Sequence, residues 1–278
     1  MLYDSVRGGT KRMFSNSNAA EGTESQGIQS FDSDGFTTGT HRATGGDASN
    51  KMVAWNWKES ATAGFDIVSY TGASGDQTFA HSLGAAPEWY LVKERGNANS
   101  WVVNHIGLAN QTNAYLLLNT NDAAGTDSWF NSTAPTSSVV SANDGDSPTN
   151  RNGGTYIMYL WRSVKGFSKF GSYTGNGNAN GTFIYTGFRP AWVMIKSTGL
   201  NSWEILDNKR NPTNVMGKSI FPDGVNPYDY TDRIDILSNG FKTRTNSSGV
   251  NGSGVSYIYM AFAESPFVNS NGVPTNAR

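Results

Sequence analysis

The chain contains no cysteine in 278 residues, so disulfide and thiolate chemistry are both excluded. Cysteine usage therefore says nothing about an oxidising or reducing compartment. Charge is scarce and balanced: 21 lysines and arginines face 22 aspartates and glutamates, and charged residues make up 15% of the chain. No run of like charge occurs, so the basic patch that nucleic acid or an anionic membrane recruits is missing. The three histidines, His41, His81 and His105, sit at no spacing that would pair two of them on a zinc ion. No apolar run approaches the roughly 20 residues of a membrane span. The first residues, Met1 to Met13, lack the apolar core of a secretory signal. Neither a G-x-S-x-G elbow nor a phosphate-cradling glycine loop is present. No cofactor and no metal is expected.

What the chain does have is glycine (32 residues) and aromatics (12%), the composition of short strands joined by tight turns. Its length suggests two to three domains, each able to bury a core of its own. It also repeats itself. Ser69-Tyr70-Thr71-Gly72 returns as Ser172-Tyr173-Thr174-Gly175, Pro87-Glu88-Trp89 as Pro190-Ala191-Trp192, and Lys93 as Lys196. Trp101 returns as Trp203, and Tyr156-Ile157 as Tyr257-Ile258. The N-terminal stretch matches only the second half of this unit: Leu2-Tyr3-Asp4 stands where Ile205-Leu206-Asp207 stands, Ser33-Asp34-Gly35-Phe36 where Ser238-Asn239-Gly240-Phe241 stands, and Met52-Val53 where Tyr257-Ile258 stands. The organisation is thus a partial repeat (1–60), two full repeats of about 100 residues (64–163 and 166–265) and a polar tail (266–278) containing Phe267-Val268. The tail is expected to be poorly ordered unless docked. Alternating apolar residues in runs such as Phe65 to Tyr70 and Lys51 to Trp57 predict strands. The fold class is all-β, tandem β-sandwiches of a jelly-roll-like kind with essentially no helix. Half a sandwich leaves an open edge and an uncovered apolar face. A neighbouring subunit, another protein or further sequence is expected to complete it.

The last repeat reads Tyr173-Thr174-Gly175, Gly187-Phe188-Arg189-Pro190, Trp203, Asp207, Arg210, Gly240-Phe241 and Tyr257 to Glu264. This string resembles a repeated domain of uncharacterised function found in structural and tail-fibre-like proteins of marine tailed bacteriophages. The end of the chain, Glu264 to Phe267 and Asn276 to Arg278, also resembles the way such fibre proteins finish. The middle repeat departs from the pattern, with His105 in place of the aspartate and no clear arginine after it, and the first keeps Asp4 and Arg7. The resemblance implies a virion protein with other virion subunits as partners, forming a homo-oligomer (trimer or filament), and it supplies no catalytic residue.

Repeat logic then sorts the candidate residues. Trp89/Trp192, Trp101/Trp203 and Trp57/Trp161/Phe262 recur in register and are read as core. Asp4, His105 and Asp207 share one framework position, and Lys93 and Lys196 another. They form either a polar sugar pocket or, as favoured, a buried polar pair that orients strands. Asp32-Ser33-Asp34-Gly35 and Asn143-Asp144-Gly145-Asp146 have calcium-loop features, but a plain hairpin is the better reading of the first. A glycosidase needs two facing carboxyl groups. Glu88 maps to Ala191, Glu94 to Ser197 and Glu204 to Val102, and the matching Glu59 and Glu264 lie at a strand end, so no catalysis is expected.

The segments that break register, about 8–30, 106–148 and 208–234, fall at one place in each unit, as binding loops on a rigid scaffold do. Their aromatics, Trp129, Phe130, Tyr228, Tyr230 and Phe14, have no repeat partner and are the candidate ligand-binding residues. Packing of their own loops is the competing account. These readings converge on a virion appendage that attaches to a host-surface polysaccharide. A purely architectural virion subunit is the alternative, and a cellular carbohydrate-binding module the third possibility.

Overall fold

The computed structural model describes residues 1–49, 51–145, 148–224 and 226–264; the 266–278 tail and Asp146 of the second calcium candidate lie outside them. The N-terminal half-unit holds β1 (Lys11–Arg12), β2 (Gly22–Thr23), β3 (Ile28–Phe31), β4 (Phe36–Thr38) and a single 3-10 turn, Arg42–Thr44. The middle unit follows with β5 (Phe65–Thr71), β6 (Gln77–Ala80), β7 (Trp89–Glu94), β8 (Val102–His105), β9 (Ala114–Leu117), β10 (Gly125–Thr126), β11 (Val139–Ala142) and β12 (Thr155–Trp161). The last unit comprises β13 (Ser168–Thr174), β14 (Phe183–Tyr185), β15 (Pro190–Ser197), β16 (Glu204–Asp207), β17 (Met216–Ser219), β18 (Tyr228–Leu237), β19 (Gly240–Thr243) and β20 (Ser256–Ala263).

Every ladder among the described residues is antiparallel and stays within its own unit. In the last unit the inner sheet runs β13-β20-β15-β16 and the outer sheet β14-β19-β18-β17. The middle unit keeps the same inner order, β5-β12-β7-β8, but extends it with β9 and β10, leaving only β6 and β11 in its outer sheet. Here lies the reason register fails after Ile106. The strand following β8 continues the inner sheet through Val103↔Leu116. Its counterpart β17 keeps only the bridge Ile205↔Ile220 and joins the outer sheet instead. The same bridge exists in the half-unit as Leu2↔Met13.

The core is divided differently from the strands. One apolar cluster fills the last sandwich, from Val193, Ile195 and Leu206 to Phe241 and Tyr257. A second fills the middle sandwich around Tyr90, Val92, Val102 and Met158. The largest belongs to neither. It gathers Trp89, Trp101 and Trp161 of the middle unit, Trp192, Trp203 and Phe262 of the last, and Met13 with Leu2, Trp55 and Trp57 of the half-unit. Inner strands alternate side chains between two faces. One face looks into its own sandwich and the other into this shared seam. The recurring tryptophans are therefore core, but core between units, added to the core that each complete sandwich buries for itself.

Equivalent residues meet at the seam. Trp57 lies edge-on to its repeat counterparts Trp161 and Phe262, with ring centroids 6.3 and 5.5 Å away. The equivalent pair Trp101 and Trp203 also reaches back, each to the unit before it. The Trp101 indole Nε1 donates to the Phe14 carbonyl at 3.0 Å, and that of Trp203 to the Leu117 carbonyl at 2.9 Å. The half-unit supplies only its seam face. Residues 51–57, predicted as a strand, join no ladder among the described residues, because no equivalent of β13 or β15 stands beside them. Their burial still alternates, with Val53, Trp55 and Trp57 turned inward.

Candidate functional site

The shared framework position is structural in each unit. Asp4 accepts from the Arg7 backbone N–H at 2.8 Å and binds its guanidinium Nε. Asp207 does the same for Arg210, with 3.0 Å to the backbone and 2.5 Å to Nε. Each arginine returns its terminal nitrogens to backbone carbonyls, Leu2 and Lys11 in one case and Ile205 and Lys218 in the other. The Asp-x-x-Arg pair thus stitches the bridging strand to the turn that follows it. His105 replaces the aspartate by accepting the Gly107 N–H on Nδ1 (2.8 Å), which leaves Nε2–H to donate to the Tyr259 carbonyl of the last unit at 3.1 Å. Burial pushes its pKa down to about 4.

Lys93 and Lys196 are not the partners of these residues. Lys196 Nζ donates to the carbonyls of Ser197 (2.6 Å) and Gly199 (2.8 Å), and Lys93 Nζ to those of Glu94 (2.5 Å) and Asn97 (3.1 Å). Each ammonium caps the turn that leads into the next strand, and burial lowers both pKa values to about 8. The expected Asp/His–Lys pair is replaced by two separate devices, since carbonyl oxygens satisfy a buried ammonium as well as a carboxylate does geometrically.

The loop aromatics separate into two groups. Phe130 is buried in the middle sandwich, edge-to-face with Tyr90 at 4.8 Å, and no ligand can reach it, which corrects its place among the binding candidates. Trp129 is packed at the edge of the same core, its ring 4.1 Å from that of Tyr115 on β9, while its carbonyl receives the Thr149 hydroxyl at 2.8 Å. It clamps its own loop. Trp129→Ala should cost roughly 2 kcal/mol, seen as a lower melting temperature. Phe14 sits exposed beside Arg12, 5.2 Å from its guanidinium carbon.

Tyr228 and Tyr230 remain, and the structure brings them to a cleft. They stand two positions apart on β18, so both rings project from one face, with centroids 4.3 Å apart. The Arg233 guanidinium carbon lies 3.2 Å from the Tyr230 ring centre, a cation–π contact that fixes the ring. With Glu204, Asn201, Ser202 and the turn Ser247-Ser248-Gly249, these residues line a cavity of about 370 Å³. Glu204 Oε2 accepts from Arg233 Nε at 3.0 Å and from the Ser219 hydroxyl at 2.9 Å. Burial raises the Glu204 pKa above the usual carboxylate value, with Arg233 and Ser219 opposing that shift. A Cβ at Gly249 would fall 2.5 Å from Glu204 Oε1, so a larger residue in this turn would push the carboxyl aside.

The cleft belongs to one unit. Val102, the counterpart of Glu204, is fully buried in the middle sandwich. A carboxylate placed where the repeat has a buried valine is the signal that could have exposed Glu204 in the sequence. Arg233 and the 247–249 turn carry no such signal, because they meet Glu204 only in the folded sandwich. Among the described residues no group of three potential metal ligands occurs. Asp32 instead accepts the hydroxyls of Ser30 and Thr37, both at 2.9 Å, within the β3–β4 hairpin. No described helix is long and apolar enough to cross a membrane, which leaves membrane-spanning strands unaddressed.

A sequence family described as a domain of unknown function, DUF7483, matches residues 1–266. No curated protein and no solved structure matches the chain.

Proposed function

We propose, for a chain that belongs to the DUF7483 family, that it is a non-catalytic attachment module of a virion appendage, with the β18 cleft as its site for a host-surface glycan. The observation that carries this reading is the cleft itself: two tyrosine rings at its rim beside a buried, charge-paired floor. The apolar C–H face of a pyranose is attracted to the negative face of an aromatic ring. Serine and asparagine side chains can donate to and accept from ring hydroxyls. The volume suits a site for one or two sugar residues. Glu204 is held by Arg233 and Ser219, an arrangement suited to fixing the cleft wall rather than to moving a proton. The virion setting rests on the resemblance of the repeat motifs alone.

The test is a glycan array screened with the full chain and with Tyr228→Ala and Tyr230→Ala. Tyr228 is 57% exposed, so its loss should weaken binding at least tenfold and shift the melting temperature by no more than a degree or two. Equal binding by all three proteins, or binding by none, would remove this function. An architectural role is the second reading, favoured by the uncovered half-unit. Antibody labelling of particles separates the two, at a tail tip for attachment and along a head or filament for architecture.

A further inference from the structure

The half-unit is built for a polypeptide that the described chain does not place there. In the last unit β15 lies between β16 and β20, and β13 covers the other side of β20. The half-unit retains the counterparts of β16 (residues 2–4), of the β18–β19 hairpin (β3–β4) and of β20 (residues 51–59), and among the described residues nothing occupies the positions of β13 and β15. Burial records the consequence residue by residue. Met52 is 53% exposed where Tyr257 is fully buried, and Phe31 is 40% exposed where Ile236 is 3%. Ala54, Asn56 and Thr38 are exposed where Tyr259, Ala261 and Thr243 are buried. The last unit's counterparts of Met52, Ala54, Asn56 and Phe31 all belong to the core of its own sandwich. The seam-facing residues Trp55 and Trp57 are meanwhile held against Trp192 and Phe262. The exposed face is therefore a fixed template, open on the side and at the edges where the complete units carry β13 and β15.

We propose that this face docks a strand pair of the β13–β15 kind: a Tyr-Thr-Gly turn followed by a Pro-x-Trp-x-x-x-Lys strand. The two complete units define the occupant, because each fills this place with that pattern in the same order. A second copy of this chain is a poor donor, since its β7 and β15 are already paired on both sides. The recognition is strand addition: backbone hydrogen bonds supply affinity, and alternate side chains entering the sandwich supply register.

The probe is a peptide of residues 166–203, added to the full chain and followed by hydrogen exchange. Amides of 51–59 should exchange rapidly in the free chain and at least a hundredfold more slowly with peptide present. An Ala54→Pro, Asn56→Pro double variant removes two backbone donors while keeping Trp55 and Trp57 in place, and should lose the protection without losing the melting transition. Because the peptide alone can aggregate, a second arm fuses residues 166–203 directly ahead of Met1, which stands where Glu204 stands in the repeat; the same amides should then be protected and the melting temperature raised. Absence of protection in the fused chain would overturn the slot. Protection there would support the slot even if the free peptide does not bind, with the strand pair then attached to the same chain. Slow exchange at 51–59 in the free chain, accompanied by a dimer in sedimentation, would assign the face to a second copy instead. Every one of these outcomes is independent of glycan binding at β18.

Discussion

Trp203→Ala is expected to lower the free energy of unfolding by about 3–5 kcal/mol, the range for emptying a fully buried large aromatic site. Trp203 has no exposed surface, its ring lies 5.7 Å from that of Trp89, and its indole N–H ends on a carbonyl of the middle unit. The loss therefore falls on the seam and not on one sandwich. Calorimetry should show one cooperative transition in both proteins, displaced to lower temperature in the variant. A profile of two transitions, with only one displaced, would mean that the units unfold independently and that the seam couples nothing. Trp203→Phe separates the two contributions: it keeps most of the apolar area but leaves the Leu117 carbonyl with only the long bond from the Thr120 N–H (3.5 Å), for a cost of about 1–2 kcal/mol.

The second large effect is acid sensitivity centred on His105. Both ring nitrogens are engaged in the neutral form, Nδ1 as acceptor and Nε2–H as donor, so protonating Nδ1 breaks the bond from Gly107 and charges a site enclosed by Trp89 and Phe170. The native pKa of about 4 lies below the ordinary value of 6.5. Between those values the unfolded chain binds more protons than the native one, so stability is fully present above pH 6.5 and is lost as pH falls toward 4. The shift corresponds to roughly 3 kcal/mol. His105→Asn retains an acceptor for Gly107 and has nothing to titrate. Its stability should be lower at pH 7, and its slope between pH 6.5 and 4 flatter than that of the parent. Urea titrations at four or five pH values would show it, and parallel slopes for the two proteins would sink the assignment.

The candidate site is half legible in the sequence. Tyr228 and Tyr230 stand out because no repeat partner explains them, and a β-strand puts residues two apart on one face. By the same criterion Phe130 stands out and is core, since a loop long enough to break register is also long enough to fold an aromatic back onto its own sandwich. Glu204 lacks an acidic counterpart, with Val102 in its place, and so fails as a framework acid; yet that lack is what confines the cleft to the last unit. Lys93 and Lys196 carry their burial in their repetition, but not their partners, because backbone carbonyls leave no trace in sequence.

By itself the sequence determined the all-β class and the Ser-x-Gly-Phe hairpin turns at Ser33 and Ser238, for a local reason. Side-chain alternation, turn glycines and the spacing of repeated motifs are properties of neighbours along the chain. Tertiary structure alone decided that three sets of tryptophans share one seam, that β9 and β17 enter different sheets, and that Glu204 meets Arg233 beneath two tyrosines. A strand buried on both faces shows which residues leave water, but not which of two partners each face will meet. That choice depends on how the units pack, and packing compares surfaces far apart in the sequence.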